Sequence, residues 1–188
     1  MGRLFNSISP LFTIIVVTLA MQYIMAKSKE PAKTNEAGEG ILRYTMIYAV
    51  IGWSGLAIST TIAIAGVTFG QGTLINKLGW FIIPTLFDLI SVPLILSYHN
   101  KKIIFDHTKI IEQTALRNKK VILWHEIKEV DFTPTARDLI LVAGRQKIKI
   151  GNSMSGFKSL VEVMEKQLDP AMYKKAVEKI NNVYAKFG

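Results

Sequence analysis

Residues 44–69 read YTMIYAVIGWSGLAISTTIAIAGVTF, 26 residues without a charge. As a helix this run is roughly 39 Å long against a hydrocarbon core of about 30 Å, so it can cross a bilayer with tilt to spare. Gly55, Ser59 and Ala63 recur every fourth residue. They form a stripe of small side chains on one helical face, which lets a second helix approach closely.

Two more apolar runs flank this one. Residues 80–98, WFIIPTLFDLISVPLILSY, carry Pro84, Pro93 and a single charge, Asp88, with Trp80 and Tyr98 at their two ends. Amphipathic aromatics favour the headgroup level, and each proline removes one backbone donor from a helix. Residues 8–26 are uncharged, with Gln22 as the strongest polar group. At roughly 28 Å they match one hydrocarbon core. They read as an uncleaved helix, because Arg3 alone precedes them and no small-x-small pair stands before Lys27. The expectation is a membrane domain over residues 1–98 with three transmembrane helices at about 8–26, 44–69 and 80–98. Between the first two, KSKEPAKTNEAGEG (residues 27–40) mixes charges with Pro31 and two glycines and reads as a solvated connector.

Lys and Arg near the ends of spans are retained on the cytosolic side. Lys27, Lys29, Lys33 and Arg43 follow the first run, Lys101 and Lys102 follow the third, and only Lys77 lies between the second and third. All three boundaries agree on an external N-terminus and a cytosolic C-terminal region. The chain has a formal net charge of +9 and no cysteine. Disulfides and thiolate chemistry are therefore excluded, which fits a reducing compartment, and anionic partners are favoured. With spans present the nearest polyanion is the inner leaflet, so lipid takes precedence over nucleic acid, for which no aromatic RNA-binding motif appears.

From Lys101 onward the pattern changes to short β-type runs at 103–105, 109–114, 121–124, 138–143 and 147–150, separated by polar clusters such as Arg117 to Lys120 and Thr133 to Arg137. Ile148 and Ile150 alternate with Lys147 and Lys149, the signature of a half-buried antiparallel strand. Phe157, Leu160, Val161, Met164 and Leu168 then recur at helical spacing, with Ser155 as the expected N-cap. Strands closed by one helix make a small α+β domain over residues 99–168. Residues 169–188 form a last amphipathic helix, with Met172, Ala176, Ile180, Tyr184 and Phe187 on one side and lysines elsewhere. It either lies on an anionic surface or packs on its own domain.

The strand ending at Trp124, the turn-like Trp124-His125-Glu126-Ile127-Lys128-Glu129-Val130, the hairpin from Leu139 to Ile150 and the closing helix together resemble the bacterial pleckstrin-homology-like domains of small membrane proteins. The resemblance covers about residues 100–168, and its most specific element is the spacing of Trp124, Ile127 and Val130. It implies a PH-like curved sheet or barrel with a capping helix, used for binding or assembly rather than catalysis. The early strands lack the basic Lys-x-Arg pattern of inositol-lipid binders.

Asp88 is the residue whose placement needs an explanation, since a carboxylate at a span centre costs about 3 kcal/mol. Either it handles protons or cations in a polar pocket, or it is a structural group bonded to Ser59, Thr60 and Thr61. His99, His107 and His125 lack metal-ligand spacing, no Ser lies in a Gly-x-Ser-x-Gly frame, and the Gly70-Gln71-Gly72 turn follows no Rossmann-type strand. Neither an enzyme nor any cofactor or metal is expected. The sequence points to a membrane-anchored binding or scaffolding protein that presents its PH-like module to a protein partner or to anionic lipid. Lys101, Lys102, Lys174, Lys175 and Lys179 are the candidate lipid contacts. The alternative is an oligomeric transport or pore-forming protein centred on Asp88.

Overall fold

The computed structural model describes residues 18–69 and 74–185. The chain divides into two compact units. One takes residues 18–43, 102–112 and 119–185, and the other residues 44–101 and 113–118.

The first unit is α+β. Its described part begins with helix α1 (residues 18–29), the end of the first apolar run. The rest of that expected span lies outside the described residues. Next come β1 (Lys33–Thr34) and β2 (Gly40–Tyr44), an antiparallel pair in the stretch expected to be a solvated connector. The reason lies just beyond the connector: Leu42 is fully buried, and β2 runs antiparallel to β3 (Lys102–Phe105) with Leu42 opposite Ile103. A strand buried on one face supplies what the polar connector lacks. The domain therefore does not begin at residue 99 but recruits residues 33–43.

β4 (Lys109–Gln113) and β5 (Lys119–Leu123) extend this sheet in the order β1-β2-β3-β4-β5. A 3-10 turn at Trp124–Glu126 leads to β6 (Glu129–Thr133), β7 (Asp138–Ala143) and β8 (Gln146–Gly151), a three-stranded antiparallel sheet. The turn-like heptapeptide thus contains the start of a strand. Trp124, Ile127 and Val130 are all buried, and the Trp124 indole N–H donates to the Asp106 carbonyl at 2.8 Å. Across β6-β7-β8 the register aligns Val130, Leu141 and Ile148 in one row and Phe132, Leu139 and Ile150 in the next. All six point inward, each contributing about 1.5–3 kcal/mol by leaving water.

β9 (Met154–Ser155) returns to pair with β2, and α4 (Phe157–Gln167) follows. The N-cap of α4 is Gly156 at φ 83°, not Ser155, which is committed to the strand. Gly156 tolerates that φ, and a Cβ there would collide with Ala32. Phe157, Leu160 and Met164 of α4 are buried. α5 (Pro170–Ala185) packs against β6 and buries Ala176, Ile180 and Val183, so this amphipathic helix faces its own domain. Phe187 lies outside the described residues.

The second unit is a helical hairpin. α2 (Met46–Phe69) and α3 (Leu74–Asn100) pack on each other, and both are long and apolar enough to cross a membrane. Their arrangement inverts that of a water-soluble protein. Gly52, Ser59 and Gly66, seven residues apart, are buried at the seam, whereas Val67 is 71% exposed and Leu89 and Ile90 are 66% exposed. Small side chains along this face of α2 let α3 approach closely. A Cβ on Gly52 would meet Ile95, one on Gly55 the Ser91 hydroxyl and one on Gly66 the Trp80 ring.

Candidate functional site

Asp88 sits in α3 among the seam residues Pro84, Ser91 and Ile95. One of its carboxylate oxygens, Oδ1, is buried without a hydrogen-bond partner among the described residues. The expected bonding to the hydroxyl cluster of α2 does not occur. Ser59 Oγ donates instead to the Pro84 carbonyl at 3.2 Å, Thr60 to the Leu56 carbonyl and Thr61 to the Ala57 carbonyl, each of these two at 2.9 Å. Hydroxyls in an apolar helix satisfy themselves on the carbonyl four residues back, the nearest acceptor where water is scarce. That geometry turns the threonines away from any other helix's carboxylate.

At the end of α3 the turn of residues 114–118 folds onto Asn100. The Asn100 side-chain amide donates to the Ala115 carbonyl at 2.9 Å, Gln113 donates to the Asn100 carbonyl at 2.9 Å, and Arg117 Nε donates to Asn100 Oδ1 at 3.3 Å. Lys101 lies over the Tyr44 ring, 5.7 Å from its centre. Lys102 is in β3, opposite Arg43.

The other lysines expected at a lipid surface divide into two kinds. Lys174 and Lys175 are exposed on α5, whereas Lys179 donates to Asp131 Oδ1 at 2.7 Å. That hydrogen bond, reinforced by the backbone N–H of Phe132 and by the charge of Lys175, holds the Asp131 carboxyl below its ordinary range against a small opposing effect of burial. The first unit also ties down α1: Ser28 Oγ is 3.1 Å from the Tyr184 hydroxyl, and the Gly156 N–H donates to the Lys27 carbonyl at 3.3 Å. Burial pushes the Tyr184 hydroxyl up, partly offset by Ser28.

Sequence reasoning missed a basic cleft of about 450 Å³, bounded by Lys119, Lys120 and Val121 of β5 and by Arg145, Gln146 and Lys147 of the β7–β8 hairpin. The hairpin turns at Gly144, φ 56°, with Ala143 paired to Gln146, which places Arg145 at its tip. Lys120 approaches Glu112 at 3.9 Å and the Lys147 carbonyl at 3.4 Å. Arg117 to Lys120 reads as a turn, and only the pairing of distant strands brings its lysines beside Arg145.

No group of three His, Asp or Glu side chains is arranged to hold a metal among the described residues. His107 and His125 are exposed, and the His99 ring meets Tyr98 edge-on at 5.0 Å. Compared with known protein families, curated proteins and solved structures, the chain matches none.

Proposed function

We propose that this protein is a membrane-anchored binding or scaffolding module, in which the α2–α3 hairpin crosses the bilayer and the α+β unit stands at the inner leaflet. One observation carries this reading. Both ends of an inside-out apolar hairpin feed neighbouring strands of one sheet, with Leu42 opposite Ile103. Two spans inserted between paired strands return the chain to the side it left, so residues 27–43 and 102–185 share one face of the membrane. The positive flanks Arg43, Lys101 and Lys102 make that face cytosolic. On this reading the first apolar run is a third span with an external N-terminus. The sheet-and-helix arrangement serves, as in PH-like domains, for binding rather than catalysis.

The absence of cysteine makes the test direct, because any introduced thiol is the only one. Gln71→Cys and Glu129→Cys are each treated with a membrane-impermeant maleimide in intact cells. Label on Cys at 71 alone, with 129 reacting only after lysis, is the expected result. The reverse pattern overturns the orientation, and equal labelling overturns the spanning hairpin.

The unpartnered Asp88 oxygen favours a second reading, in which several copies assemble a polar path through the membrane. Comparing the oligomeric state of wild type and Asp88→Asn in nanodiscs tests it: an indifferent monomer removes this reading.

A further inference from the structure

We infer that the cleft between β5 and the β7–β8 hairpin binds the phosphate-bearing headgroup of an anionic phospholipid. The inference rests on the proposal that the α+β unit stands at the inner leaflet, and it gives that unit a ligand class and a site. Four cations from two separate parts of the sequence, Lys119, Lys120, Arg145 and Lys147, surround one cleft, and all four are exposed. Glu112 is the carboxylate that reaches into the group, approaching Lys120 at 3.9 Å, so a net positive charge faces the opening. Gathering like charges is unfavourable unless an anion neutralises them, and a planar guanidinium beside ammonium groups suits a phosphate's oxygens.

Two features select a lipid over a free anion. Val121 also lines the cleft and is 47% exposed, an apolar surface for which an inorganic anion has no use. Lys119 also follows by one peptide bond the turn of residues 114–118, whose Ala115 and Arg117 are tied to Asn100 at the C-terminal end of the apolar α3. Along the chain, Lys119 is therefore one short turn away from residues bonded to the end of a spanning helix. The lysines of α5 lie more than 70 residues along the chain from the end of α3, and Lys179 is already engaged by Asp131.

The full-length protein, purified in an uncharged maltoside detergent, is titrated with three probes: a short-chain phosphatidylglycerol, a short-chain phosphatidylcholine and inorganic phosphate. Wild type is compared with Lys119→Gln/Arg145→Gln and with Lys174→Gln/Lys175→Gln, after thermal unfolding has shown that all three are folded. The expected result is saturable phosphatidylglycerol binding that weakens about tenfold or more in the cleft variant, persists in the helix variant and declines with salt. Phosphatidylcholine should bind at least about tenfold more weakly. Equal binding by both lipids, equal loss in both variants or no loss in the cleft variant overturns the site. Inorganic phosphate binding as tightly as phosphatidylglycerol overturns the lipid assignment. Detergent removes the bilayer from this experiment, so an inverted or non-spanning topology found by thiol labelling leaves its outcome unaffected, and the two failures are separable.

Discussion

Arg43 and Lys102 lie directly opposite one another in neighbouring antiparallel strands, although residues 44–101 separate them in the chain. The hairpin is thus an insertion in the chain between two paired strands that would otherwise be joined by a tight turn. A two-residue Asn-Gly loop connects strands at this spacing. A chain of residues 27–43, Asn-Gly and 102–185 is expected to be a soluble monomer with β-type circular dichroism and one cooperative unfolding transition. Aggregation, or a broad transition without a baseline, would show that the α+β core depends on the apolar helices.

The same pairing makes Leu42 a core residue of the domain. It is fully buried, and Leu42→Ala in the excised domain should cost about 2–5 kcal/mol through lost burial and the cavity left behind. Val121→Ala, at a position 47% exposed, should stay within about 1 kcal/mol of wild type. Urea unfolding compares the two directly, and equal effects would remove β2 from the core.

The contrast between Leu42 and Trp124 explains what was legible in the sequence. Trp124, Ile127 and Val130 are buried as their spacing suggested, and Ile148 and Ile150 alternate inward as a half-buried strand demands. These are local patterns, visible in a window of a few residues. β2 is five residues long and follows a polar, glycine-containing stretch, and its partner lies beyond a hairpin. Nothing local distinguishes it from the apolar run that follows, so its strand character comes from long-range pairing. The basic cleft was hidden for the same reason, since Lys119 and Arg145 become neighbours only when distant strands are placed. Asp88 was legible by its isolation, but its lack of a hydroxyl partner was not. The hydroxyls expected to bind it satisfy their own helix or the Pro84 carbonyl first.

The hairpin seam yields its own expectation. A Cβ at Gly66 would run into Cβ and the ring of Trp80, whereas Ile64 is 59% exposed on the outward side. Gly66→Val should destabilise the full-length protein in nanodiscs by about 1–3 kcal/mol, the usual cost of forcing volume into a close contact. Ile64→Val, which exchanges one lipid-facing aliphatic group for another, should leave thermal unfolding nearly unchanged. A larger loss at 64 than at 66 would reverse which face of α2 meets α3.

Lys179 and Asp131 join α5 to β6 through a 2.7 Å ion pair whose side chains are 33% and 47% exposed. Solvent screens a pair of that exposure, so Lys179→Met, which keeps most of the aliphatic stem, should cost only about 0.2–1 kcal/mol at neutral pH. Its pH dependence is more informative than its size. The Asp131 carboxyl is held below its ordinary value of 3.8, first by the hydrogen bond from Lys179 and then by the Phe132 N–H. A group whose pKa is depressed by folding binds its proton less readily in the folded state than in the unfolded one. The stabilisation is therefore complete above the unfolded value and disappears as pH falls through the folded one. Wild type and Lys179→Met should differ at pH 7, converge as pH falls through the lowered folded-state value and the carboxylate is protonated, and differ less at high salt. Urea denaturation of the excised domain across that range measures the gap. A gap that persists undiminished in acid would mean that Lys179 holds α5 against β6 by packing alone, with no contribution from the carboxylate.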